Sequence, residues 1–571
     1  MRPQETVYLS LGAAANAASM HFWNAQQSYF DFRADGPPPL IEHDVSFRAG
    51  QGTDGLETYT PRALLFDVRS EFGAMARVNE LYATKDEEDV AYETIPTAER
   101  VVPSEWSELS DASERRPGRP RYWSDYASVL FHPRSHVPVA APALYGSSFL
   151  AMPEDDSANC APSSFADGVR IAQAMEGEQR VMEEQVRWLA EDSDLMQGFQ
   201  IAASASDAFS GIASTYLGYL ADEYPKVERH TMLLARTLPA RYAPVAAMNE
   251  VLALTQAIEH AHLVVPVHLQ GTVPRRDCVR PRWDDLHHAA AVVATLWETA
   301  TLPTRLVQRH DTMATLRARL AWRGDTPLVQ LGGCMPTPLL ANRQPQVDVD
   351  ALVNAMLASK GYATPAAPAP RFDGRAAIAA AWWDRSLAYG AHDRVTTAPV
   401  AVPYAETVVA RDADALAETP TMQALSAWQA QQQPWSTRCV VRTYRRTFVP
   451  LAYPTARPYP DYLYGLTSTG RAWPDAATSE PSHVTSMPCI ASLRASPDTL
   501  EIVERARTWV IDILEGHAPW AVYGMDEGMD RDAVLELRET LERLSDAYNT
   551  ERINEDEPGT DEEWASEAWD V

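Results

Sequence analysis

Residues 193–226, SDLMQGFQIAASASDAFSGIASTYLGYLADEYPK, restrict the fold more than any other part of this chain. Residues 195–203 are apolar enough for a strand buried on both faces, the situation of a parallel sheet covered by helices. A run of small and polar residues follows at 204–211, and Leu217, Leu220 and Tyr224 then recur at helical spacing until Pro225 stops the pattern. Strand, tight turn and helix in this order cradle phosphate in nucleotide-binding α/β folds, because free N–H groups at a helix start face the anion. This turn holds Gly211 but also Asp207 and Phe209. A phosphate loop needs glycine where backbone approaches ligand, and a carboxylate there repels one, so the place is right and the chemistry is not.

The same unit occurs earlier. Residues 6–11 form a short β-type run, residues 12–17 (GAAANA) a small-residue turn, and Met20, Trp23 and Asn24 lie on the helix that follows. Residues 57–62 precede a further strand at 63–68. Repetition of such units predicts an α/β fold with a doubly wound parallel sheet.

These segments carry a resemblance. LSLGAAANAASMHFWN is similar to the first strand, turn and helix of tubulins, TYTPRALLFDV to the tubulin segment after it, and the stretch from SDLMQGFQ to DEYP to the region of the tubulin glycine-rich signature. With Trp123-Ser124-Asp125-Tyr126 and Phe131-His132-Pro133-Arg134-Ser135, the chain resembles the Misato (Dml) family of tubulin-like proteins more than tubulin itself. The match covers the N-terminal half well and the region after about residue 340 poorly. It implies a tubulin-like nucleotide-type domain at 1–75 and 122–282, separated by a polar insertion at 76–121. A central helix at 283–300, a second α/β or α+β domain at 301–495, C-terminal helices at 496–550 and an acidic tail at 551–571 follow.

Carried over residue by residue, the resemblance names a nucleotide pocket of Gly12, Asn16, Ser210, Gly211, Asn249, Trp283 and His287. Alignment back from DEYP keeps Ser210-Gly211 on the family's Ser-Gly and leaves Asp207 and Phe209 inside the loop. Asn249 stands at the position of an asparagine that contacts guanine; its plainer reading is an ordinary polar helix residue. Trp283 replaces the aromatic that stacks on the base, and His287 replaces a second asparagine, so stacking survives and amide recognition does not. Further losses are Ala13 for a glutamine near the metal and phosphates, Ala15 for a glycine, only Tyr145-Gly146-Ser147-Ser148 where a second phosphate loop belongs, and Ala318 where a glutamate would act on a neighbouring subunit's nucleotide. A methyl group cannot orient an attacking water. The expectation is a vestigial pocket, no catalysis, and no cofactor beyond weak GTP binding.

Composition sets outer bounds. With 49 basic against 78 acidic residues in 571, the net charge of −29 argues against nucleic acid or anionic lipid as the main partner. The five cysteines lie far apart, as reduced thiols do. Adjacent His287-His288 point about 100° apart on a helix and do not share a metal. No run is long enough for a membrane span, and the N-terminus resembles neither a signal peptide nor a presequence, so the expected membrane association is peripheral. No nucleophile elbow, Walker loop, HExxH or CxxC occurs.

Elsewhere, residues 168–192 read as one helix. Residues 328–332 and 440–451 read as strands, 351–360, 376–389 and 422–432 as helices, and 497–515 and 531–548 as amphipathic helices. Leu535, Leu537, Leu541 and Leu544 mark the apolar side of the last, and Trp564 and Trp569 in the tail suit docking on a partner. The resemblance implies a non-enzymatic role in mitochondrial distribution, morphology and mitochondrial DNA inheritance. It places the protein on the outer face of mitochondria and in the cytoplasm, with mitochondrial-surface or cytoskeletal protein partners. The rivals are a GTP-binding filament-forming tubulin homologue and a cytosolic adaptor or chaperone for tubulin.

Overall fold

In a computed structural model, the described residues are 4–31, 38–52, 57–69, 122–139, 164–238, 242–269, 278–307, 311–323, 326–337, 403–412, 443–455, 458–471, 481–516 and 531–548, with positions 33, 55, 71–72, 383–384 and 523. The insertion, the second-loop candidate, most of the helices expected between 351 and 432, and the acidic tail lie outside them.

Four apolar runs form the heart of the first sheet. Strands β1 (Thr6–Leu11), β4 (Ala63–Val68), β6 (Gly198–Ser204) and β7 (Glu228–Ala235) are almost wholly buried, because helices cover both faces. The hairpin of β2 (Phe47–Gln51) and β3 (Glu57–Pro61) lies apart. Strands β5 (His136–Val139) and β8 (Leu263–His268) complete six parallel strands in the order β5-β4-β1-β6-β7-β8. One face is covered by α1 (Ala13–Gln27). The other carries α2 (Phe165–Gln179), a π-helical turn (Met182–Val186) leading into α3 (Arg187–Glu191), α4 (Phe209–Glu223) and α5 (Ala243–His260).

The single helix expected over 168–192 is broken: Arg180 adopts the left-handed region at φ 49 and ends α2. Leu195, expected inside a strand, is 45% exposed. Its amide and that of Asp194 donate to the Glu5 carboxylate at 2.8 and 3.2 Å, so the chain bends there before β6 begins.

The central helix α6 (Leu286–Thr301) starts after Asp285, whose carboxylate accepts the His287 amide at 3.1 Å, and from His287 onward every residue is buried. Its small and β-branched residues let it lie between α1 and a second sheet, each fully buried valine or leucine contributing about 1.5–3 kcal/mol. After α7 (Met313–Leu320), that sheet is built from β9 (Gln330–Cys334), β10 (Trp383–Asp384), β11 (Ala405–Arg411), β12 (Thr443–Val449) and β15 (Ile490–Ala495), in the order β10-β9-β15-β11-β12. Trp383–Asp384 pairs with β9 inside a stretch expected to be helix, because an open strand edge captured it. Strands β13 (Tyr453–Pro454) and β14 (Ser486–Met487) form a small ladder. Helices α8 (Asp498–Glu515) and α9 (Arg531–Tyr548) pack together against the core on the α5 side of the first sheet; Val534, Leu537, Leu541 and Leu544 are inward, and Leu535 is half-buried.

Candidate functional site

The turn from β1 into α1 and the turn from β6 into α4 meet at the carboxyl end of the sheet. Gly12 sits at φ +90, and a Cβ there would stand 2.7 Å from both the Phe209 Cγ and the Ser204 Oγ. The phenyl ring of Phe209 therefore lies directly against Gly12, fully buried. Two amides at the start of α1 have partners within the chain: Gly12 donates to the Phe66 carbonyl at 2.9 Å and Ala14 to Ser204 Oγ at 3.2 Å.

The start of α4 is occupied by its own chain. A helix start leaves unsatisfied N–H groups, which an aspartate just ahead of it can accept. Asp207 Oδ1 accepts the Phe209 amide at 3.0 Å, and its carbonyl accepts the Ser210 amide at 3.0 Å and Ser210 Oγ at 2.6 Å. Burial raises the Asp207 carboxyl pKa, against the opposing pull of Arg236 and the Phe209 amide. Gly211 meets another helix instead of a ligand. A Cβ on it would be 2.0 Å from the Phe165 carbonyl oxygen, and one on Gly168 would be 1.9 Å from the Ala208 carbonyl oxygen, so the two glycines let α2 and α4 touch backbone to backbone.

Asn249 is a clamp. Its Oδ1 accepts the Phe165 amide at 2.7 Å and its Nδ2 donates to the Ser206 carbonyl at 3.2 Å, joining α5 to the start of α2 and to the β6–α4 turn. Beside it, Glu250 accepts Ser206 Oγ at 2.5 Å, and burial pushes its carboxyl up to about 7 despite that bond. On α1, Asn16 donates to the Phe66 carbonyl at 3.0 Å and to Asp67 at 2.9 Å, and the Trp123 indole donates to the same Asp67 oxygen at 2.8 Å. Burial, with Glu71 nearby, pushes Asp67 up to about 8.

His287 faces α1 and the Pro458 segment after β13. Its Nε2 lies 3.0 Å from the Pro458 carbonyl, and its ring stacks on His21 at 5.0 Å and meets Tyr126 at 4.4 Å. Burial, followed by its neighbour His288, lowers it to about 4. Trp283 is half-buried against the same core.

The structure thus brings Gly12, Ser210 and their turns together around Phe209, sets Asn249 behind them, and places Asn16 and His287 in separate networks. Sequence reasoning missed Ser204, Asp67, Glu250, Phe165 and His21. Ser204, His21 and Asp67 lie within stretches already read as turn, helix and strand, and Trp123 within a quoted motif, but nothing in the sequence marked their partners. A cavity of about 200 Å³ is lined by His21, Asn24, Ser128, Tyr453 and Tyr459, and another of about 360 Å³ lies by α5, α7 and α9; neither is lined by any of the seven residues named from sequence. Among the described residues, no group of His, Cys, Asp and Glu is arranged to hold a metal ion, and no helix is long and apolar enough to cross a membrane.

Two family models match in succession: the Misato Segment II tubulin-like domain over residues 4–114 and the Tubulin domain over 112–306. With the six-stranded parallel sheet and its buried central helix, they define a tubulin-like α/β protein. "Protein DML1" of Gibberella zeae is 32% identical over 353 residues, 57% of this chain and 67% of the relative. "Protein dml-1" of Neurospora crassa is 31% identical over 347 residues, with the match spanning 62% of that relative's length. "Protein misato homolog 1" of Pongo pygmaeus is 25% identical over 604 residues, covering 95% of this chain and 98% of the relative. The chain belongs to the Misato/Dml family.

Proposed function

We propose that this chain is a non-enzymatic tubulin-like scaffold whose nucleotide pocket is filled by its own residues, and that it acts in mitochondrial distribution, morphology and DNA inheritance. The observation that carries the first part is the contact of Phe209 with Gly12. Phosphates bound at this turn would need the space of the ring, and the Asp207 carboxylate already caps the helix start that would receive them. Asn249, the residue assigned to guanine, spends both ends of its amide on backbone groups. Ala318 is exposed on α7 and supplies no group to activate water.

The mitochondrial part rests on family membership, and the partners it implies are proteins of the mitochondrial surface or the cytoskeleton. Titration of the full chain with GTP in a calorimeter tests the pocket: no heat of binding is expected, and micromolar or tighter affinity overturns the reading. Cell fractionation with protease protection tests the location. Recovery with the outer face of mitochondria is expected, whereas affinity purification returning tubulin or chaperonin in its place favours an adaptor for tubulin.

A further inference from the structure

Helix α9 ends beside an open cleft. The Leu328 amide donates to the Tyr548 hydroxyl at 2.7 Å and Arg323 donates to the Ala547 carbonyl at 3.1 Å, so the end of the helix is tied to the segment after α7. Ala547 itself lines the cleft, and the chain beyond it sets out from the rim. The cleft measures about 360 Å³, with apolar residues Ile258, Pro327 and Leu544 and the arginines Arg317 and Arg543. Arg317 is bonded to Glu228 at 3.1 Å. Arg543 is exposed and makes no hydrogen bond or ion pair among the described residues.

The 23 residues that follow, 549–571, lie outside the described part. They carry Glu551, Glu555, Asp556, Glu557, Asp561, Glu562, Glu563, Glu567 and Asp570 against Arg552 alone, and Trp564 and Trp569 each adjoin a carboxylate. We propose that residues 561–571, DEEWASEAWDV, dock in this cleft of their own chain, with the Trp564 indole on the apolar wall and Glu562 or Glu563 on Arg543. An indole with flanking acids matches an apolar cleft with a cationic rim. Glu259 also lines the cleft, so the tail's carboxylates are received by the arginines and not by the cleft as a whole.

Three considerations favour the same chain as the source. The sixteen residues that follow Tyr548, up to and including Trp564, reach about 50 Å when extended, far more than the return to the rim demands. Tethering supplies an effective concentration of the order of millimolar. A second copy would bring another net charge of −29 against the first.

Hydrogen exchange on the full chain tests the proposal. Exchange in 255–262, 317–327 and 540–547 is expected to rise about tenfold with Trp564→Ala/Trp569→Ala or with Arg543→Glu, since both remove docking and Arg543 is exposed. Unchanged exchange in both variants overturns it. A Trp564→Cys/Ala321→Cys pair is expected to form a disulfide within one chain under mild oxidation. A disulfide-linked dimer instead assigns the cleft to a second copy and overturns docking in the same chain, and so does the absence of any new crosslink.

Discussion

Glu298 of the central helix and Arg411 of β11 form an ion pair with both side chains at 0% exposure. Arg305 approaches the same carboxylate at 3.4 Å, Gln26 of α1 donates to it at 2.8 Å, and Arg411 also donates to the Tyr29 hydroxyl at 2.7 Å. Helix α1, the central helix and the second sheet thus share one buried charge cluster around Glu298. Burial disfavours charge on Arg411, but Glu298 and Tyr29 more than offset this and raise its pKa.

Breaking this cluster from one side leaves an uncompensated buried charge. Glu298→Gln, which leaves the Arg305 and Arg411 guanidiniums with no anion between them, is expected to cost about 3–5 kcal/mol in urea unfolding. Replacing Glu298, Arg305 and Arg411 together with apolar residues of similar volume is expected to recover most of that loss, because no charge is then left unpaired.

Gly12 and Phe209 are sterically coupled. Gly12→Ala forces a side chain into a positive φ and onto the phenyl ring, for an expected loss of about 2–3 kcal/mol. Phe209→Ala alone empties a buried site at about 3–5 kcal/mol. The double variant is expected to lose less than the sum, a coupling that a double-mutant cycle in urea measures; additivity would mean that the ring and Gly12 do not touch.

The glycine pair at the α2–α4 crossing gives a second steric test. Gly168→Ala and Gly211→Ala each drive a methyl group to about 2 Å from a carbonyl oxygen, so the helices must separate. Each is expected to lower the unfolding midpoint by the equivalent of at least about 2 kcal/mol. At Gly177, where a Cβ meets nothing within 4 Å, alanine is expected to be neutral or stabilising.

Glu250 makes stability depend on pH. Its folded pKa, about 7, lies above the usual 4.5, so the folded state binds the proton more tightly than the unfolded state. Stability is then full below the unfolded pKa and falls as pH rises toward 7, by about 3 kcal/mol at most. Glu250→Gln is expected to flatten unfolding free energy between pH 5 and 7; an unchanged slope would assign the effect to another buried carboxyl whose pKa is raised, such as Asp67 at about 8.

Much of the fold was legible because parallel strands buried on both faces leave unbroken apolar runs. Thr6–Leu11 and Ala63–Val68 could be read to the residue, as could the amphipathic α9 from its leucine spacing. Trp383–Asp384 could not, since its state was decided by a strand edge distant in sequence. Neither could the break at Arg180, where helical propensity on both sides conceals one left-handed residue.

At the site, residue identity alone shows that Asp207 and Phe209 stand in a turn where glycines belong, and that Ala13 and Ala318 lack functional groups. Where the side chains go emerges from the packing of the folded chain: the Phe209 ring onto Gly12 from another βα unit, the Asp207 carboxylate onto the Phe209 amide, and the Asn249 amide onto two backbone groups. The reason is that residue type and local period set the element, whereas the contact between two turns depends on how neighbouring parallel strands bring separate segments of the chain together.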